Sequence, residues 1–395
     1  MFTESRLKKS AMLIEQVIFS AFSFIAINIV SLLYSSDEFR VFLVVFTFVT
    51  ANMLIGAACI SSYFISSTTI NYEDTFTNKL TVSLIMIIAI PVFIGLPIIM
   101  KYDFHYFISY ITLSIGWMLS DIVRRSSILK NTIIKQLCIT AISYFLILTI
   151  IVLGKVVGVS ILNVMFYAGI SMCAVALISI YPDLKLKFKS EELRKIIVFS
   201  SPLLIGLGAF WAYTQGIYLY LESELSSRAL EKLRVSQNFA SLISVVGLYY
   251  ENSLSRKMSN DLNYLELNYQ SEKFQVLKLS VLSAVAVVLI TIVLQYYFTF
   301  SVELLQVLVF GVALILYNST KIEVVYFRFI KSTRKIMHAH LFSILLMSIA
   351  FYIFELIGKL SFYDYLILII IPYLAFFICI MILWKKNGNK KYIVD

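Results

Sequence analysis

The sequence predicts an all-α polytopic membrane protein of about twelve transmembrane helices in two six-helix halves. Three observations carry that prediction. Of the 395 residues, 60% are hydrophobic and only 14% are charged, with a mean hydropathy of +0.88. A soluble domain is about 45–50% apolar and about 25% charged. The apolar residues also fall into long runs, and a lipid-spanning helix needs roughly 20 of them. Finally, the lysines and arginines alternate in number from loop to loop. These features exclude a soluble enzyme, a coiled coil and a disordered chain.

The first apolar run, 11–34, follows Arg6, Lys8 and Lys9. It is longer than the about 7–15 residues of a signal-peptide core, so it reads as a retained first helix. The second run is 40–64, entered from a short loop holding Asp37 and Glu38. The third, fourth, fifth and sixth are 80–100, 104–123, 133–153 and 157–181. The basic stretch KLKFKSEELRK at 185–195 then divides the chain, giving halves at 1–187 and 188–395. The second half repeats the pattern with runs at 196–221, 229–251, 276–299, 302–327, 336–357 and 362–384. Two halves of equal helix number and orientation suggest parallel repeats about the membrane normal.

Orientation follows from the basic residues. With the N-terminus cytoplasmic, 25 of the 33 lysines and arginines fall on the cytoplasmic side and seven on the other. The opposite orientation violates the positive-inside rule at nearly every loop. Both termini are therefore expected in the cytoplasm, and the net charge of +10 reads as a topology signal, with no call for nucleic acid. Every outer loop is short. The chain carries no GxxxxGK[ST] motif, so it has no ATP site of that kind. Cys59, Cys138, Cys173 and Cys379 sit in apolar runs and read as small hydrophobes. His338 and His340 lie two apart and point to different faces of a helix, which does not suit a metal site.

Polar residues inside the spans mark the candidate site, because a charge in lipid costs about 2.5–3.5 kcal/mol on insertion scales. In the eighth span Arg234, Gln237, Asn238, Ser241 and Ser244 recur at helical spacing. In the seventh, Gly208, Trp211, Gln215, Tyr218 and Glu222 do the same. In the tenth, Tyr317, Lys321, Val324 and Arg328 share a face, with Asn318 beside it. Asn52, Gly56, Cys59 and Tyr63 align in the second, and Trp117, Asp121 and Arg124 in the fourth. A cavity with Arg234 and Lys321 as its cations, and with Gln215, Gln237, Asn238 and Asn318 as its amides, would suit a phosphate-bearing anion. Trp211 and Tyr218 would stack on sugar rings. Glu15 and Asp121 are candidate sites for a coupling H⁺ or Na⁺, and no other cofactor is expected.

The segment ALEKLRVSQNFASLISVVGLYYENSLSRK, residues 229–257, carries a resemblance. An "LR-x-x-Q-N" helix runs through Leu233, Arg234, Gln237 and Asn238. It ends in Tyr250, Glu251 and Asn252 and a basic pair, Arg256 and Lys257. This resembles the eighth-helix region of Wzx-type O-antigen and capsular polysaccharide flippases. The family's usual proline after that helix is missing, since Ser255 precedes Arg256. The resemblance implies an alternating-access, MATE-like transporter fold in the bacterial inner membrane. Its implied cargo is an undecaprenyl-pyrophosphate-linked oligosaccharide repeat unit, moved from the cytoplasmic to the outer leaflet for O-antigen (lipopolysaccharide) or capsule biosynthesis. Implied partners are membrane lipids, a repeat-unit polymerase and a chain-length regulator. Two other readings compete. A cation-coupled drug or metabolite antiporter of the same fold would want an acidic cavity. A membrane glycosyltransferase or polymerase would want a large outer loop.

Overall fold

The computed structural model describes residues 24–56, 72–129, 133–181, 190–261, 264–297, 302–330, 332–358 and 362–388, with Ile14, Ile18 and Phe22. Their regular structure is helical. In chain order the helices are α1 (Phe24–Leu33), α2 (Ser36–Gly56), α3 (Tyr72–Lys101), α4 (Phe104–Leu129), α5 (Ile133–Val157) and α6 (Ile161–Ile180). Then come α7 (Ser190–Trp211), a π-helical turn (Ala212–Gly216), α8 (Ile217–Glu224), α9 (Ser227–Ser241) and α10 (Ser244–Asn260). The chain continues with α11 (Tyr264–Tyr297), α12 (Leu304–Ser319), α13 (Lys321–Phe329), α14 (Thr333–Ile357) and α15 (Phe362–Gly388). Among the described residues, eight helical stretches are long and apolar enough to cross a membrane. The chain is an all-helical, multi-pass membrane protein.

Within the described residues the helices follow the predicted runs, with corrections at ends and breaks. The loop assigned to Asp37 and Glu38 is helical. Both acids lie in the first turn of α2, where they complement the helix dipole. A capping box starts that helix: the Ser35 amide donates to Glu38 Oε2 at 3.0 Å and the Glu38 amide donates to Ser35 Oγ at 3.3 Å. The stretch 252–275, between the eighth and ninth apolar runs, is largely the ends of α10 and α11. Hydropathy registers only the lipid-facing part of a helix, and the polar turn YLELNYQSEKF continues the backbone ladder beyond it.

Three expected spans are interrupted. The seventh contains the π-helical turn, the eighth breaks after Ser241, and the tenth breaks after Ser319. At the last two breaks, hydroxyls take carbonyls from the helix ladder. Ser241 Oγ donates to Asn238 O at 2.6 Å and Ser244 Oγ to Ser241 O at 2.5 Å. Ser319 Oγ donates to Leu316 O at 2.6 Å and Thr320 Oγ1 to Tyr317 O at 2.7 Å. Such local bonds compete with the i→i−4 pattern.

The chain divides into two compact units. One comprises Met1–Leu204 with Tyr218–Leu230, and the other comprises Ile205–Ile217 with Glu231–Asp395. In the first unit α4 and α6 touch backbone to backbone. A Cβ on Gly116 would lie 2.7 Å from Gly169 O, and one on Gly169 would lie 2.5 Å from Leu113 N. Without a hydrophobic drive between helices in lipid, such close approach is a main source of packing energy. Asn52 locks α2 to α4 through Tyr110 OH at 2.6 Å and Ser114 Oγ at 2.9 Å, and Tyr110 OH donates to Pro91 O of α3 at 2.9 Å. The aligned polar residue Asn52 is thus a structural tie. The core of the second unit runs from Tyr250, Leu254 and Met258 to Phe327, Ala339 and Phe376.

Candidate functional site in the second unit

Polar side chains gather at the three interruptions. The π-helical turn is the first. A π turn inserts one residue, so its carbonyls lose their usual partners. The side chain of Gln237, on α9, donates from Nε2 to Thr214 O at 3.1 Å, and Arg234 Nη1 donates to Gln215 Oε1 at 2.6 Å and also to Gln237 Oε1. Arg234, Gln237 and Asn238 are all buried. The sequence grouping of Arg234 with Gln215 and Gln237 is therefore realised as a hydrogen-bonded set.

The inserted residue also changes the expected seventh-span face. Trp211 and Gln215 fall in the second unit, whereas Tyr218 and Glu222 fall in the first. Spacing by three and four assumed an unbroken α-helix, and the π turn shifts the register. Tyr218 is buried. Trp211 packs its ring against Gly216, with 3.1 Å between Trp211 Cζ3 and a Cβ built there.

The second gathering lies where α10 meets α13. Lys321, the first residue of α13, places Nζ 2.8 Å from Glu251 Oε2, and Arg328 Nη1 donates to Glu251 Oε1. Lys321 Nζ also lies 4.6 Å from the Tyr317 ring centroid, a cation–π distance. Tyr317, Lys321 and Arg328 do share a face across the break, as the sequence suggests. Glu251 is the partner that the spacing did not supply, since it comes from another helix. Asn318 beside them donates from Nδ2 to Ile243 O at 2.8 Å and to Ser280 Oγ at 3.2 Å. Gly247 makes room for it: a Cβ there would lie 2.2 Å from Asn318 Oδ1 and 3.4 Å from Lys321 Cε.

A third ion pair sits on the opposite side of α13. Lys273 Nζ pairs with Glu323 Oε1 and also donates to the freed Ser319 carbonyl, and Tyr269 OH donates to Glu323 Oε1 at 2.6 Å. Glu323 is fully buried, so burial of its charge is matched by the lysine and the phenol. In the last turn of α10, Lys257 contacts Glu272 Oε1 at 2.7 Å and Tyr264 OH at 3.0 Å. Burial acts to lower the Lys257 pKa, but these two partners outweigh it and push it up to about 12.

His340 is buried and His338 exposed, so the two do point apart. His340 does not sit at an interface with water. Its Nδ1 lies 3.0 Å from Tyr213 OH and its ring stacks on Phe376 at 4.2 Å. Among the described residues no three His, Cys, Asp or Glu side chains come together to hold a metal. Cys138, Cys173 and Cys379 are free thiols. Of the candidate coupling residues, Asp121 is half-buried on α4. Glu15 lies outside the described residues, as do Cys59, Tyr63 and the side chain of Arg124.

No family model and no curated protein matches the sequence. Solved structures do match its shape. An inward-facing multidrug resistance MATE family transporter of the MOP superfamily aligns with a TM-score of 0.66 over 94% of both chains at 13% identity. The chain has a MATE-like fold. An outward-facing structure of a multidrug resistance MATE family transporter aligns at 0.62, with 14% identity over 95% of this chain and 93% of that one. A MOP superfamily transporter from Pyrococcus furiosus, whose reversed binding-pocket polarity suggests a different function, aligns at 0.57 with 15% identity over 95% and 93%.

Proposed function

We propose that the chain is a transporter of a lipid-linked, phosphate-bearing oligosaccharide. The cargo in this reading is an undecaprenyl-pyrophosphate-linked repeat unit carried across the bacterial cytoplasmic membrane by alternating access. The observation that supports it most is the sharing of one carboxylate, Glu251, by two cations, Lys321 and Arg328, inside a membrane-spanning unit. A site for cationic drugs would want the opposite balance. For the Pyrococcus furiosus structure, reverse polarity of the binding pocket suggests a different function, which supports reading cargo class from charge here.

Arg234 adds a guanidinium that reads oxygen acceptors in a fixed fork. Gln215, Gln237, Asn238 and Asn318 are the amides for phosphate or sugar oxygens. Trp211 supplies an aromatic face. Tyr218 lies in the other unit, so its stacking role applies only to the part of the cargo that reaches there. Asp121 and Glu15 remain the coupling candidates for H⁺ or Na⁺. Both termini are placed in the cytoplasm by the basic-residue count, and a polymerase and chain-length regulator act on the delivered repeat.

The deciding experiment is extraction and sizing of lipid-linked oligosaccharide from membranes of a deletion strain. Complete single repeat units held on the cytoplasmic leaflet, with no surface polymer, are expected. Single repeats that reach the outer leaflet without polymerising would assign the missing step to a polymerase. An unchanged glycolipid profile would favour the cation-coupled antiporter.

A further inference from the structure

We propose that Glu251 is a built-in counter-anion: its carboxylate occupies, between Lys321 and Arg328, the place that the cargo's diphosphate takes on binding. The inference rests on the reading of the cargo as an anion. It adds an internal competitor and, through it, a selection for charge.

The geometry is that of a bridging anion. The two cations lie two turns apart on α13, yet one carboxylate from α10 engages both, Oε2 with Lys321 and Oε1 with Arg328. A diphosphate offers the same arrangement, separate oxygens for separate cations, with more charge. Tyr317 under the ammonium and Gly247 beside Lys321 Cε hold the lysine in place whichever anion is present. Access is graded. The Lys321 side chain is 9% exposed, against 42% for Arg328. An entering anion therefore meets Arg328 first and displaces Glu251 from there inward. Both helices begin at a break, α10 after Ser241 and α13 after Ser319, so they can part without bending a continuous hydrogen-bond ladder.

The chemistry explains why such a residue is needed. A carrier returns empty in each cycle. Two cations without a counter-charge in a low-dielectric site would make that return costly. Exchange of one anion for another keeps the site compensated in both states. It also sets a threshold, because a monoanion gains little over the resident carboxylate and a diphosphate gains more.

The test uses the purified full chain in nanodiscs of neutral lipid, with farnesyl diphosphate and farnesyl monophosphate as probes. Wild type is expected to prefer the diphosphate. Glu251→Gln keeps the shape and a hydrogen-bond acceptor but removes the competing charge. It is expected to bind the diphosphate about tenfold more tightly and to narrow the preference over monophosphate, as removal of a charge within a few ångströms does. A second change, Arg328→Gln in the Glu251→Gln background, restores the net charge and should return affinity toward wild type. Structural damage alone would not tighten binding. Should Glu251→Gln fold poorly, Glu251→Asp keeps the charge but withdraws it by one methylene, and is expected to tighten binding by a smaller factor. If neither variant tightens binding while the Lys321→Gln/Arg328→Gln double variant loses it, the cations bind anions and Glu251 is no competitor. If wild type and that double variant bind alike, the anionic-cargo reading itself fails.

Discussion

Two glutamates, one in each unit, are held by a pair of cations, and their surroundings differ. In the first unit Glu222, at the end of α8, accepts from Arg40 Nε at 3.0 Å, Lys101 Nζ at 3.4 Å and Tyr102 OH at 3.1 Å, while Arg40 Nη2 donates to its backbone carbonyl at 2.7 Å. Burial raises the pKa of that phenol, so Tyr102 stays a donor. Arg40 and Lys101 come from α2 and α3, and their side chains are 37% and 58% exposed. In the second unit both of Glu251's cations come from one helix, and Lys321 is 9% exposed. The first arrangement ties three helix ends together where water can still reach the cations. The second holds one cation, Lys321, largely away from water, while the other, Arg328, is 42% exposed. Similar chemistry therefore serves fastening in one unit and a charge-compensated site in the other.

Truncation of each glutamate to alanine breaks the symmetry most sharply. Glu251→Ala strands the Lys321 ammonium in a buried site, and loss of one partner of a buried pair costs about 3–5 kcal/mol. Glu222→Ala leaves cations that can turn to solvent, so about 1 kcal/mol or less is expected. Thermal unfolding of the two purified variants in the same detergent compares them directly. Equal losses would mean that exposure does not separate the clusters.

Export gives the next effect. Alanine at Arg234 and Lys321 together is expected to abolish delivery of lipid-linked repeats at normal protein level. Arg234→Lys keeps the charge but loses the planar guanidinium whose Nη1 donates to both Gln215 and Gln237. One lost charge-assisted hydrogen bond, about 1.5–3 kcal/mol, corresponds to a drop of about tenfold to a hundredfold in export. Full activity in Arg234→Lys would show that charge alone matters there. The corresponding change in the first unit, Arg40→Lys, keeps a single contact to Glu222 and should leave export within about twofold, because exposed pairs contribute little.

The comparison also shows what the sequence carried. Long apolar runs made the helices legible, because lipid imposes one solution on the backbone. Arg234, Gln237 and Gln215 were legible because a charged residue mid-span needs polar company. Tyr218 and Glu222 fall in the first unit and Trp211 and Gln215 in the second, a division at the π-helical turn that periodicity cannot reveal. Glu251 went unassigned as a partner of Lys321, because it lies 70 positions away and pairing across helices leaves no local signal. The break before Lys321 did leave one: Asn318, Ser319 and Thr320 in a row are three side chains that compete for backbone groups.

Glycine substitutions sharpen the contrast at smaller energies. Gly247→Ala would place its methyl carbon 2.2 Å from Asn318 Oδ1. Either Asn318 gives up its bonds to Ile243 and Ser280 or α10 shifts, at a cost of about 1–3 kcal/mol. Gly208→Ala on α7 meets nothing within 4 Å, so helix propensity should decide, with a gain of about 0.5–1 kcal/mol. The pair separates a glycine kept for space from one that is not. Opposite shifts in melting temperature are the expected result, and a loss at Gly208→Ala would mean that the open space there is used by cargo or lipid.

The smallest effect is a pH dependence in the first unit. Glu38 accepts from Ser35 and from Lys155 Nζ at 3.2 Å. The backbone amide of Ser35 above all, helped by Lys155 and the Ser35 hydroxyl, holds its pKa below the ordinary carboxylate value against the opposing effect of burial. A carboxyl with a lowered folded pKa contributes stability above its unfolded value and loses it as pH falls through the folded one. The wild-type first unit should therefore soften on acidification below about pH 4, the ordinary carboxylate range. Glu38→Gln should remove part of that acid sensitivity while lowering stability slightly at neutral pH. The group is substantially exposed, so the change is expected to stay below about 1 kcal/mol. Hydrogen exchange of the first turn of α2, followed against pH in both proteins, reads this locally. If the two pH profiles coincide, the capping box is held by its serine and the lysine contributes nothing.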